Sequence, residues 1–126
     1  MLKFVFMRHL IVSLLLLMVA CSKEQYEPVV VQPPDCDSGM FTFVDDILPI
    51  FNTNCNFEEC HNTSGTGSFD FTVYEVVADR IRAGTMEYRL DLPPGDPQHM
   101  PEKMTLSACD YFIIKAWIRQ GYPNTN

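Results

Sequence analysis

The longest apolar run of the chain lies within its first twenty residues. Lys3 and Arg8 precede a stretch from Leu10 to Ala20 that contains no charged residue. This stretch is about half of the ~20 residues that a membrane-spanning helix needs. A basic start, an apolar segment and a small residue at its end are typical of a signal peptide. We therefore predict that residues 1–20 are a signal peptide.

Helical periodicity is clearest near the end of the chain, where apolar residues recur at spacings of three and four over 107–120. Ser107 and Asp110 have the spacing of a helix N-terminus, and Gly121 follows the last turn. The apolar face of this helix consists of Ile113, Ile114, Trp117 and Ile118, and Tyr111 flanks it. The pattern predicts a helix over 107–120 with Trp117 in the core.

Two shorter helices are predicted earlier in the chain. The pattern over 46–54 has Pro49 in its opening turn, where the missing N–H loses no hydrogen bond. A second helix is expected to begin at Thr72 and Glu75, which have the spacing of a capping box, and to end at Gly84.

The segment from Leu90 to Lys103 is predicted to be an irregular loop. It contains four prolines, namely Pro93, Pro94, Pro97 and Pro101. Proline restricts the backbone, so the loop is expected to be rigid, and it is long enough to wrap around a ligand. The whole pattern predicts a mostly α fold of about three main helices with a proline-rich loop.

The charge of the chain limits its partners. The 126 residues include 16 acids and 9 bases. Residues 1–20 hold two of the bases and no acid, so the remainder has 7 bases against 16 acids, a net charge of −9. Nucleic acid is therefore excluded as a natural partner, because binding phosphates requires clustered Lys and Arg. The charge suits a module that meets a basic or neutral surface.

The end of the signal peptide, Leu17-Met18-Val19-Ala20-Cys21, resembles the lipobox of bacterial lipoproteins. The resemblance implies cleavage before Cys21 and lipid attachment to it, with an ordinary secretory signal and a free Cys21 as the alternative. We expect 21–35 to be a flexible tether, or in part an edge strand, and 36–126 to be the folded domain. The protein is then a membrane-anchored lipoprotein of the cell envelope, on the periplasmic face or the outer membrane.

Candidate chemistry lies in the segment from Cys55 to His61. Two cysteines with a histidine directly after the second are the attachment pattern of c-type haem. In that pattern the two sulfurs form thioethers to the porphyrin, and the adjacent histidine, here His61, would supply the proximal nitrogen to the iron. The usual interval between the cysteines is two residues, and here it is four. A Cys55–Cys60 disulfide on a surface turn is the nearly equal alternative.

The stretch 47–126 resembles a small bacterial c-type cytochrome domain of the kind found in envelope lipoproteins. The matching segments are Ile47-Leu48-Pro49-Ile50-Phe51, Cys60-His61, 67–74, Met100-Pro101, Leu106-Ser107, Ala116-Trp117-Ile118 and 121–124. The departures from the family pattern are the four-residue interval and Asn62, where glycine is frequent. The resemblance implies a class-I-like cytochrome c fold around one covalently bound haem c.

The resemblance also implies two ligands to the haem iron. His61 would be the proximal ligand, and Met100 would be the distal ligand because Met-Pro in the loop before the last helix is the family position. Met104 and His99 are its rivals. Arg80, Arg82 and Arg89 are interpreted as surface charges in preference to partners of the haem propionates.

With Cys21 assigned to lipid and Cys55 and Cys60 to haem, Cys36 and Cys109 remain. A disulfide between them is expected in an oxidising compartment, with two buried free thiols as the alternative.

The combined interpretation is a lipid-anchored monohaem cytochrome that carries single electrons to and from redox proteins and is not an enzyme. One alternative is a haem-free lipoprotein with two disulfides. The other is a lipoprotein that handles copper through Cys60, His61, His99 and Met100.

Overall fold

The computed structural model describes residues 31–57, 60–65 and 67–125. The predicted signal peptide, the lipid site at Cys21 and most of the predicted tether lie outside these residues. A π-helical turn spans Phe43–Ile47, and four α-helices follow: α1 (Leu48–Asn54), α2 (Tyr74–Arg82), α3 (Thr85–Asp91) and α4 (Ala108–Arg119). No strand occurs within the described residues. The prediction of a mostly α protein is confirmed.

Local signals account for the start of two helices. Pro49 lies in the first turn of α1. The Ser107 hydroxyl accepts a hydrogen bond from the Asp110 backbone N–H (3.0 Å) and caps α4. The capping box predicted at Thr72 is wrong, because the Thr72 hydroxyl donates instead to the Asp70 carboxylate (2.6 Å). Helix α2 therefore begins after Val73 without a side-chain cap.

Helix α3 is an element that the sequence pattern did not predict. Gly84 ends α2 as expected, with a left-handed φ of +69°, but it also serves as the N-cap of α3. The new helix takes in Leu90 and Asp91, so the irregular loop begins at Leu92. Because α3 has only 7 residues, its single apolar pair, Met86 and Leu90, gave a weak helical signal.

The core lies where the π-helical turn meets α1 and α4. Trp117 of α4 is fully buried and lies 6.1 Å from the ring of Phe43. Phe43 in turn contacts the rings of Phe51 (6.5 Å) and Tyr74 (5.5 Å). Trp117 also donates its indole N–H to the Pro123 carbonyl (2.9 Å), which holds the C-terminal segment against the core. The predicted burial of Trp117 is confirmed.

A disulfide joins the start of the domain to α4. Cys36 and Cys109 are bonded across a sequence separation of 73 residues, with their Cα atoms 5.3 Å apart. At the other end of α4, Gln120 also holds the start of the domain, since its side chain accepts from the Phe41 N–H (2.9 Å) and donates to the Gly39 carbonyl (2.7 Å). Within the described part of the chain, none of the helices has the length and apolarity to cross a membrane.

Candidate functional site

Two adjoining cavities open beside the segment from Cys55 to His61. The larger has a volume of about 340 Å³ and the smaller about 220 Å³. Cys55, His61, Gly67 and Met100 line both cavities, so these four residues form the boundary between them. The size and mostly apolar walls of the larger cavity are typical of a small-molecule or cofactor site. Residues that are far apart in the sequence thus meet at one place.

Two backbone hydrogen bonds join the described residues on either side of positions 58–59, with Cys55 and Phe57 before them and Cys60 and His61 after them. The His61 N–H donates to the Cys55 carbonyl (3.0 Å), and the Cys60 N–H donates to the Phe57 carbonyl (2.8 Å). The first bond brings His61 close to Cys55 although four residues separate the two cysteines.

His61 is held in the form that can bind a metal. Its Nδ1 lies 3.2 Å from the Phe69 carbonyl. A carbonyl oxygen only accepts, so Nδ1 carries the proton and Nε2 keeps its lone pair. Burial lowers the pKa of His61 below its ordinary value of 6.5; the bond to Phe69 opposes this shift, and the positive charge of Arg89 adds to it. The imidazole is neutral at pH 7, as metal ligation requires.

Cys55 and Cys60 are free thiols, whereas Cys36 and Cys109 are oxidised. Burial, with a smaller contribution from the neighbouring Cys60, raises the pKa of Cys55 to about 12. Cys55 therefore carries its proton at neutral pH. Since thiol–disulfide exchange requires the thiolate, this burial disfavours attack by Cys55 on the domain's disulfide.

The three proposed distal ligands lie at different places relative to the cavities. Met100 is half-buried and lines both of them, whereas Met104 lines only the smaller cavity and is 37% exposed. His99 lines neither, and its Nδ1 donates to the Leu92 carbonyl (2.7 Å). The Met100 N–H donates to the carbonyl of Arg89 (3.1 Å) and ties the loop to the end of α3. The Met100–Pro101 peptide bond is cis.

Two glycines near His61 have a role that the sequence did not reveal. A Cβ at Gly67 would lie 2.9 Å from both the Cys60 carbonyl oxygen and His61 Nδ1. A Cβ at Gly65 would collide with the Cys60 carbonyl. Only residues without a side chain allow this loop to approach the cysteine–histidine backbone so closely. The two glycines shortly after His61 were the feature of the sequence that could have indicated this close approach.

Asn62 holds the same loop through its side chain. Its amide nitrogen donates to the carbonyl of Phe57 (2.5 Å), and its carbonyl oxygen accepts from the Ser64 N–H (2.9 Å). Asn62 therefore links the turn before His61 to the turn after it. This role explains an asparagine where the cytochrome resemblance leads us to expect glycine.

The three arginines of this region do not share one environment. Arg82 is exposed and pairs with Asp79 (2.6 Å) and Glu75 (3.7 Å). Its interpretation as a surface charge is confirmed. Arg80 and Arg89 line the larger cavity instead.

The residues present at the cavities fit a c-type haem. Two free cysteines, a neutral histidine with an available Nε2 and a methionine thioether are the donors that such a group takes. Gly67 leaves room beside His61, and the buried Nε of Arg80 has no hydrogen-bond partner within the described residues. The four side chains of the copper alternative do not all meet at one cavity. Cys60, His61 and Met100 line the smaller cavity, but His99 does not. In the part of the chain that the structure describes, no three His, Cys, Asp or Glu side chains are grouped to hold a metal ion.

Comparison with known proteins identified no relative. No family model, no curated protein and no solved structure matches the chain.

Proposed function

We propose that this protein is a lipid-anchored c-type cytochrome that carries single electrons in the cell envelope through one covalently bound haem. The observation that carries the proposal is the convergence of Cys55, His61 and Met100 on both cavities, with Cys60 beside them in the smaller one. These are the attachment, proximal and distal positions that the cytochrome resemblance implies. A class-I-like cytochrome c fold belongs to the same proposal, and the helical class is compatible with it.

The roles of the residues follow from their chemistry. Haem supplies a metal that can gain and release one electron. The thiols of Cys55 and Cys60 would bind its vinyl groups, His61 would offer Nε2 to the iron, and Met100 would offer its sulfur. A methionine ligand favours a higher reduction potential than a second histidine would. Because two side chains of the protein would occupy the iron, the role is that of an electron carrier and not of an enzyme.

The apolar wall of the larger cavity would keep water away from the bound group. Phe51, Phe71 and Leu90 line it, and the ring of Phe71 is stacked on that of His61 (4.2 Å between centroids). This stacking fixes the plane of the imidazole together with the Nδ1 hydrogen bond. A ligand whose orientation is fixed in advance loses less entropy on binding.

The proposed location and partners rest on the sequence. Lipid attached to Cys21 would hold the domain at a membrane, and the segment 21–35 would act as the tether. The partners are redox proteins, and the net charge of −9 after residue 20 favours partners with a basic surface.

The direct test is to produce the full chain in cells with a haem-ligation system and to measure its intact mass and visible spectrum after denaturation. We expect one haem to remain attached, and a variant with Cys55→Ala and Cys60→Ala to lose it. A colourless protein whose mass shows two disulfides would contradict the proposal and favour the haem-free alternative. A colourless protein that binds copper through its free thiols would favour the copper alternative.

The distal ligand has a separate test. Met100→Ala is expected to abolish the methionine-to-ferric-iron charge-transfer band, whereas Met104→Ala, the matched control, should retain it. Loss of the band in Met104→Ala with retention in Met100→Ala would transfer the assignment to Met104. Retention in both variants would contradict methionine ligation by either residue.

A further inference from the structure

Two arginines reach the larger cavity from successive helices. Arg80 lies on α2 and Arg89 on α3, and the two helices meet at Gly84. The Thr85 hydroxyl donates to the Arg80 carbonyl (3.2 Å) and links α3 to α2 across this junction. Both arginines therefore line the same cavity, on the part of its wall formed by α2 and α3.

Neither arginine has a carboxylate partner within the described residues, although acids outnumber bases in the chain by 16 to 9. Arg82, two residues from Arg80, pairs with two acids, and Lys115 likewise contacts both Glu87 and Asp91. In so acidic a protein, two unpaired arginines at one cavity require an explanation. The contrast points to an anion supplied by a ligand.

Arg80 carries the clearest sign of a missing partner. Its Nε is buried and has no hydrogen-bond partner among the described residues. Its guanidinium group lies over the ring of Phe69, 4.1 Å from the centroid, and this contact fixes its position. A buried donor without an acceptor is destabilising, so such donors are nearly always satisfied in native proteins.

The remainder of the wall defines the ligand class. Phe51, Phe71, Met86 and Leu90 make it largely apolar. A ligand that suits it has a flat or bulky apolar body and carboxylates at one edge, because arginine binds carboxylates through two parallel hydrogen bonds. Haem has this composition, with two propionates on one side of the porphyrin.

We propose that Arg80 and Arg89 bind the two propionates of the haem, so that the junction of α2 and α3 is the carboxylate-binding end of the site. This inference rests on the proposed cytochrome function and adds the residues that orient the cofactor's acidic edge. It replaces the interpretation of Arg80 and Arg89 as surface charges.

The first test measures recognition of the carboxylates directly. Haem-free wild-type protein with reduced thiols is titrated with mesohaem, whose ethyl groups cannot form thioethers, and with its dimethyl ester. We expect mesohaem to bind more tightly, by about tenfold or more for each arginine–carboxylate contact. Arg80→Gln and Arg89→Gln should each reduce this difference, whereas the matched control Arg82→Gln should preserve it.

The second test uses the haem-loaded protein and does not depend on binding affinity. Covalent haem should be retained in all variants, because the cysteines are unchanged. The propionate bending mode in the resonance Raman spectrum should shift in Arg80→Gln and in Arg89→Gln, and the midpoint potential should fall, because a positive charge near the iron favours the reduced state. Arg80→Lys, which keeps the charge but not the Nε donor, should shift the propionate mode and retain most of the potential.

Failure of this inference is distinguishable from failure of the proposed function. If the wild type carries covalent haem but binds mesohaem and its ester equally, the arginines do not bind the propionates. The same conclusion follows if Arg80→Gln and Arg89→Gln behave like Arg82→Gln in both tests. If the wild type neither attaches haem nor binds mesohaem, the cytochrome proposal itself is wrong and this inference is wrong with it.

Discussion

Replacing both Cys36 and Cys109 by alanine removes the covalent link between the start of the domain and α4. The linked residues are 73 positions apart. In the chain-entropy treatment, opening a loop of this length destabilises a protein by about 4 kcal/mol at 25 °C, because the unfolded chain gains conformations. The start of the domain should remain attached to α4, since Gln120 at the other end of this helix hydrogen-bonds to both Gly39 and Phe41. The expected loss therefore arises mainly in the unfolded state.

The free energy of unfolding is measured by urea denaturation, with helical circular dichroism as the signal. Both cysteines are replaced together, because a single replacement would leave a thiol that could pair with Cys55 or Cys60. Reduction provides the matched control: dithiothreitol should destabilise the wild type by a similar amount and leave the double variant unchanged. A loss below about 1 kcal/mol in the double variant would refute the entropic argument for this link.

Three further predictions concern single residues. In haem-free protein, burial holds the pKa of His61 below its ordinary value of 6.5. As the pH falls through 6.5, the unfolded state therefore takes up the proton before the folded state does, and the free energy of unfolding should decrease. His61→Gln should weaken this pH dependence in urea denaturation, and an unchanged slope would contradict the assignment. The side chain of Lys115 is only 5% exposed and contacts Glu87 (2.6 Å) and Asp91 (2.9 Å). Lys115→Met should therefore lower the free energy of unfolding by about 2 kcal/mol in the same denaturation assay. A neutral result would show that apolar packing replaces the ion pairs. Gly67→Ala should cost about 1–3 kcal/mol in the same assay and reduce haem attachment, because its Cβ would crowd His61 Nδ1 and the Cys60 carbonyl. Ser68→Ala, at an exposed neighbouring position, is the control, and equal behaviour of the two variants would contradict the crowding argument.

Several local features of the fold could be predicted from the sequence. Pro49 marked the first turn of α1, Ser107 marked the cap of α4, and Gly84 marked the end of α2. Each signal acts through atoms within about one helical turn, so a short stretch of sequence contains the whole interaction. The capping box at Thr72 failed for a reason of the same range, since Asp70 competes for the same hydroxyl.

Helix α3 marks the limit of such reasoning. Its 7 residues are too few for a strong periodic pattern, and a helix of this length is marginal in water unless it packs against other elements. Met86 is buried in the core, and Lys115 of α4 contacts Glu87 and Asp91 on the same helix. Tertiary packing therefore stabilises α3, and Arg89 reaches the cavity because of it.

By itself, the sequence determined the helical class, the positions of the helix signals and the residues from Cys55 to His61 as the candidate centre. Only the tertiary structure decided that Met100 lies at the same cavities as His61 and that His99 does not. It also distinguished Arg80 and Arg89, which line the cavity, from the exposed Arg82. The physical reason is the separation in sequence between the residues that interact. Caps and turns depend on neighbouring residues, whereas a site depends on distant segments that meet only when the core has packed.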